Sequence, residues 1–331
     1  MANKFQEFNY TGAGTADGTF LTGIRPVTKS VNEAFITGVF KPASGGTQGM
    51  IYKGPLAKNI GSWHLFNFPG GSSTALYSVD DLGDGLVQAV GSYKTDATGG
   101  LDLGCFYQGD LNGKGNWLRL DPSSLVAGET DEVLNVIAHS VHGGIVVGNF
   151  DTKIYSGRAF IYNIATGKYQ EMVYDDAVSI TAYGIWHNGG TSYTIVGGYS
   201  EIGDQNIPAG IAKGLIVDWD SETEELTNWT SYEYDDQPVK SIFYHFSGIT
   251  PYGKDGYALS AWVVNPEGTG FGARTLVKRN KKGEFKKGKF TRWTYPDSLL
   301  TTSDSVWQNW IIGVFNTKDD PTIHGYVLRI T

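Results

Sequence analysis

Six polar residues recur at one position of an internal repeat: Thr22, Tyr77, His139, Tyr183, Ser247 and Asp304. Each stands directly before a small residue and an Ile or Val: Gly23-Ile24, Ser78-Val79, Ser140-Val141, Gly184-Ile185, Gly248-Ile249 and Ser305-Val306. Those flanking columns are uniform, as a structural position in a repeat should be. The polar column changes in nearly every copy, which is what a single asymmetric ligand pocket demands. Such groups can move protons without a metal. His139 would act as general base, Tyr77 or Tyr183 as general acid or oxyanion donor, and Asp304 as orienter or cation stabiliser. Thr22 and Ser247 add hydroxyls for binding.

Two further columns accompany this one. Phe20, Ala75, Ile137, Thr181, His245 and Thr302 lie two residues earlier, on the same face of an extended strand. Arg25, Asp80, His142, Trp186, Thr250 and Trp307 lie two residues after the small one, on the opposite face. From these columns His245 and Arg25 are candidate binding groups. Phe20, Trp186 and Trp307 are candidate aromatic walls, able to stabilise a cation. One face must pack between sheets, and the reading adopted here turns the polar column inward. Calcium needs several converging carboxylates, and glycoside cleavage needs a carboxylate pair. The polar column offers only Asp304, with Asp80 on the other face. Zinc needs three or four ligands, yet His139 and His142 face opposite sides. No metal and no cofactor is expected, and the nucleophile-elbow, Walker and His-Glu-x-x-His motifs are absent.

The elements that must position these residues are short strands. Gly144–Tyr162 is the clearest copy of the unit: an alternating apolar strand ending Gly148-Asn149-Phe150, a polar loop, then Ala159-Phe160-Ile161-Tyr162. The Gly-x-aromatic landmark recurs at Gly38, Gly91, Gly148, Gly197 and Gly313, with Ser260 in the fifth copy, spaced 49 to 63 residues apart around the circle. Each copy resolves into four strands; the fourth copy reads as about 180–186, 192–199, 215–219 and 229–234. The last strands carry Trp63, Trp117, Tyr169, Trp229 and Trp293. A sixth such strand is missing after 325–331, and Phe5–Tyr10 matches it in pattern. The sequence therefore predicts one all-β domain over 1–331, a six-bladed β-propeller with four-stranded blades. Its last blade would join three C-terminal strands to one N-terminal strand, leaving no open edge.

Thr194-Ile195-Val196-Gly197-Gly198-Tyr199, followed by Ile216-Val217-Asp218-Trp219-Asp220 and Trp229, resembles the kelch repeat; His142–Tyr162 resembles the HAF extracellular repeat. Both resemblances imply a propeller and say nothing of chemistry. The kelch order implies that the first strand of each repeat lines the central channel. Segments 200–213, 264–273 and 122–134 would then form a rim over one mouth.

Composition sets the remaining bounds. Forty-five Gly and 44 aromatics with 18% charged residues suit strands and tight turns. No run of eighteen apolar residues could span a membrane as a helix. A formal charge of −8 argues against nucleic acid and anionic membranes as partners. The basic stretch Lys278–Lys289 reads as a solvated turn, and Cys105 as a small buried hydrophobe. The N-terminal residues lack a signal-peptide core, which favours a cytoplasmic protein; a monomer is expected. The leading functional reading is an enzyme of lyase, isomerase or cyclase type acting on a small organic molecule in the channel. The rival is a carbohydrate- or protein-binding propeller without catalysis.

Overall fold

A computed structural model describes residues 4–128, 130–175, 177–201, 213–234, 242–264 and 268–330. Four antiparallel four-stranded sheets come first, over residues 18–66, 73–120, 133–172 and 177–232, each with its strands in chain order. The remaining strands form one ten-stranded sheet. The sheets surround an axis as a β-propeller. Among the described residues the only helical elements are the 3-10 turns Asp96–Thr98 and Pro122–Val126, and no helix is long and apolar enough to cross a membrane.

Where the sequence predicts six separate four-stranded sheets, the described residues form four such sheets and one of ten strands. Ile242–Pro251, Gly256–Val264 and Gly270–Arg279 pair in turn, with Phe290–Trp293 on the outside. Ser298–Thr301 then crosses over through one parallel pair, Gly270 with Leu300. A Cβ at Gly270 would meet the Leu300 side chain at 2.8 Å, so the bare glycine is what lets Ser298–Thr301 approach this closely. Beyond this bridge lie Trp310–Thr317, His324–Arg329 and the N-terminal strand Lys4–Glu7.

The chain's two ends are paired as the pattern predicts. Phe5 faces Leu328 and Glu7 faces Tyr326 in an antiparallel ladder. Phe8 follows with its amide on the Gly325 carbonyl at 2.8 Å and its ring wholly buried, edge-on to Tyr52.

Apolar clusters fill each seam between successive repeats. Leu76, Val79 and Ala89 meet Phe35 and Ile51. Ala138 and Val146 meet Val90 and Phe106. Ile185 and Ile195 meet Val147 and Ile161, and Phe246 and Leu259 meet Val196 and Ile216. Val306 and Ile311 meet Ala258 and Trp293. The last seam packs Ile312, Val327 and Trp307 on Leu21 and Ile36, bringing the end of the chain onto its beginning. Of the segments expected at a rim, 202–212 and 265–267 lie outside the described residues. Pro122–Val126 is not a free lid, because Val126 is buried in the seam between the second and third sheets. The basic stretch is not wholly solvated either: Arg279 holds Asp218 at 2.6 Å.

Candidate active site on the propeller axis

On the axis lies a cavity of about 160 Å³ walled by the first strands of the repeats. Thr22, Tyr77, His139, Tyr183, His245, Ser247 and Asp304 all line it. The reason is a repeated irregularity. In five inner strands the ladder skips one residue, between Leu21 and Gly23, Leu76 and Ser78, Ala138 and Ser140, Ala182 and Gly184, and Phe246 and Gly248. The skipped residues are Thr22, Tyr77, His139, Tyr183 and Ser247. Asp304 sits in the corresponding gap between the strands Ser298–Thr301 and Ser305–Trp307. A bulge leaves its extra residue unpaired and re-aims the side chain. The preceding residues, Leu21, Leu76, Ala138, Ala182 and Phe246, stay buried between sheets.

The landmark glycines belong to the same device. The bulge turns the carbonyls of Phe20, Ala75, Ile137 and Thr181 onto Gly38, Gly91, Gly148 and Gly197, where a Cβ would collide with them.

One side of the cavity is an aromatic arc. Tyr183 stacks on His245 with ring centres 3.7 Å apart and planes 2° from parallel. His139 leans on Tyr183 at 4.1 Å, and Tyr77 on His139 at 5.4 Å. His139 Nε2 lies 2.5 Å from Asn149 Oδ1. With the amide oxygen as acceptor, Nε2 carries the proton and Nδ1 is the ring's acceptor. Burial pushes the His139 imidazolium down to about 4 and that of His245 to about 3, so both are neutral at neutral pH. Burial likewise pushes the Tyr77 phenol up to about 12 and raises Tyr183. Both phenols therefore remain donors.

The other side is smaller and more polar. The Thr22 hydroxyl donates to the Leu76 carbonyl at 2.7 Å, tying the first repeat to the second. Asp304 Oδ2 accepts from Thr302 Oγ1 at 2.6 Å, while the Val314 amide donates to that hydroxyl at 2.9 Å. Burial pushes the Asp304 carboxyl up to about 7, against the downward pull of the Thr302 hydrogen bond. It is the cavity-lining group that divides between acid and base near neutral pH.

Arg25 forms the floor. It is 5% exposed, and from the first repeat its Nη2 reaches Ser140 Oγ at 3.2 Å and the Ile185 carbonyl at 2.8 Å, on the third and fourth repeats. The guanidinium crosses the axis, 5.5 Å above the Trp186 ring. Below it Asp80 takes the Gly143 amide at 2.8 Å. His142 stands 3.9 Å from Asp80, but burial holds its imidazolium down at about 3, so the two are not an ion pair.

Three proposed wall residues lie elsewhere. Phe20 lines a side pocket between the first two repeats, which shares Thr22 and Tyr77 with the axial cavity. Trp307 is buried in the seam that closes the ring. Trp186 lies beneath Arg25, 4.5 Å from His142, and faces a groove between the fourth and fifth repeats. The sequence reading missed Asn149, which fixes the His139 tautomer, and gave no role to Thr302, which holds Asp304. Asn149 lies one residue past the landmark Gly148, directly across the ladder from Ile137. Only the strand pairing brings it to His139.

No family model matches the chain, and no curated protein matches it in sequence. Solved structures do resemble it. The α-L-arabinanase of Penicillium chrysogenum, complexed with arabinobiose, aligns over 99% of this chain and 98% of its own, with a TM-score of 0.50 and 10% identity. Levansucrase from Bacillus subtilis aligns over 86% of this chain and 90% of its own, with a TM-score of 0.50 and 9% identity. At such identities the likeness carries the fold alone. The chain has a β-propeller fold.

Proposed function

We propose that residues 1–331 form one six-bladed propeller domain, the ten-stranded sheet being two blades in contact. In this reading the domain is an enzyme that performs metal-independent acid–base chemistry on one small organic molecule held on the axis. The carrying observation is the convergence of differing polar side chains, each delivered by its own irregularity in the strand pairing, on a single axial cavity. Asp304 serves as the proton donor and acceptor, a larger role than orienter, because its carboxyl is poised near neutral pH. Neutral His139 offers Nδ1 to accept a proton or a hydrogen bond, and Tyr77 and Tyr183 donate to developing negative charge.

A lyase, isomerase or cyclase fits this set better than glycoside cleavage. The arabinanase was solved with a sugar ligand, but cleaving a glycoside calls for two carboxyl groups about 5–9.5 Å apart. Among the described residues lining the axial cavity, Asp304 is the only carboxyl. The rival reading, a binding module, draws on the groove between the fourth and fifth repeats, where Trp186 and Lys254 line about 630 Å³.

The test is a thermal-shift screen of wild type and His139→Ala against sugars, monocyclic aromatics and terpenoids. A native-state ligand raises the melting temperature by mass action. The reading expects a shift from a non-sugar molecule that the substitution abolishes. Shifts from sugars that survive it would favour the binding module.

A further inference from the structure

The geometry points to a small organic anion, a monocarboxylate of at most about benzoate size, as the molecule this cavity takes, with its charge placed against Arg25. This rests on the axial site proposed above and names its substrate class.

Arg25 is the cavity-lining residue whose charge is least accounted for. Its Nη2 is engaged by Ser140 and Ile185. Nε is buried with no hydrogen-bond partner, and the hydrogen bonds found for the guanidinium among the described residues are those of Nη2. Among the described residues no carboxylate lies within ion-pair distance of the guanidinium. Asp80 acts on it only at longer range and is already committed to the Gly143 amide. A buried cation with unspent donors is costly unless a counter-charge arrives. Burial lowers the Arg25 pKa to about 10, which leaves it charged at neutral pH. A carboxylate supplies both the charge and the acceptors that the N–H groups lack.

Position and size define the rest of the ligand. Arg25 lies three residues beyond Thr22 along its strand, at the end of the cavity away from Phe20 and the side pocket. The volume of about 160 Å³ is close to the roughly 150 Å³ that holds a benzene molecule. A planar ring or alkene has Tyr183 and His245 as its wall. Arg25 is the only Lys or Arg among the described lining residues, which matches one negative charge and leaves a phosphate dianion half unpaired.

Calorimetry with benzoate, acetate, benzamide and benzyl alcohol tests this on wild type, Arg25→Met, Arg25→Lys and His139→Ala. Benzoate should bind wild type at least tenfold more tightly than benzamide. Arg25→Met should lose that preference and Arg25→Lys keep part of it. Equal binding of benzoate and benzamide, or benzoate binding unchanged in Arg25→Met, overturns the assignment. If Arg25→Met does not fold, a bromide soak of wild-type crystals decides: an anomalous peak against the guanidinium is expected, and its absence overturns the proposal. Neutral probes that bind in a His139-dependent manner would refute the anion while leaving the axial enzyme standing. Failure of every probe to respond to either residue refutes both.

Discussion

Replacing Asp304 with Asn should stabilise the protein relative to wild type progressively as pH rises from 4 to 7. The carboxyl titrates at 3.8 when solvated and at about 7 in the fold, because burial disfavours its charged form. Between those values the native state binds more protons at this site than the unfolded chain does. Its contribution is therefore fully present below 3.8 and is lost as pH rises through 7. Each pH unit in that window removes about 1.4 kcal/mol, on the order of 4 kcal/mol in all, and less where channel water solvates the carboxylate. The amide of the Asp304→Asn variant would keep an acceptor for the Thr302 hydroxyl and has no charge to bury. Urea titrations of both proteins from pH 4 to pH 8 measure the effect. The stability of Asp304→Asn relative to wild type should climb steadily by several kcal/mol and level off above 7. Parallel curves would show that Asp304 titrates normally and would remove it as the proton-transfer group.

Phe8→Ala should cost about 3–5 kcal/mol, because the ring is wholly buried in the closing seam. Deleting residues 1–10 should cost more, and a truncated protein that melts like wild type would refute pairing of the termini. Gly148→Ala should destabilise by about 1–3 kcal/mol in urea titrations, since the new methyl meets the Ile137 carbonyl at the His139 bulge. Cys105, whose thiol burial pushes up, should resist aromatic disulfide reagents in native protein and react at once in 6 M guanidinium. With a substrate in hand, Asp304→Asn should lower kcat by about 10²–10⁴-fold.

The repeat was legible because its landmarks answer to local chemistry: a glycine, an aromatic and alternating apolar residues mark nearly every copy. The polar column was legible for the opposite reason, since it varies where its neighbours do not. The device joining the two was hidden. A bulge is a property of the pairing between two strands, and neither the run around His139 nor the run around Gly148 contains it alone. Strict alternation also fails beyond the bulge. Arg25 and Trp307 share a column, yet the long guanidinium reaches the axis while the bulky indole fills a seam. The continuity of the ten-stranded sheet depends on Leu300 meeting Gly270, an encounter that 30 residues of separation conceal.

The most direct test of the central claim is a crystal structure with whichever molecule raises the melting temperature in a His139-dependent way. The account predicts density inside the ring, between the Tyr183–His245 stack and Asp304, with one end on Arg25. Density in the groove beside Trp186 and Lys254, with the axial cavity holding only water, would contradict it.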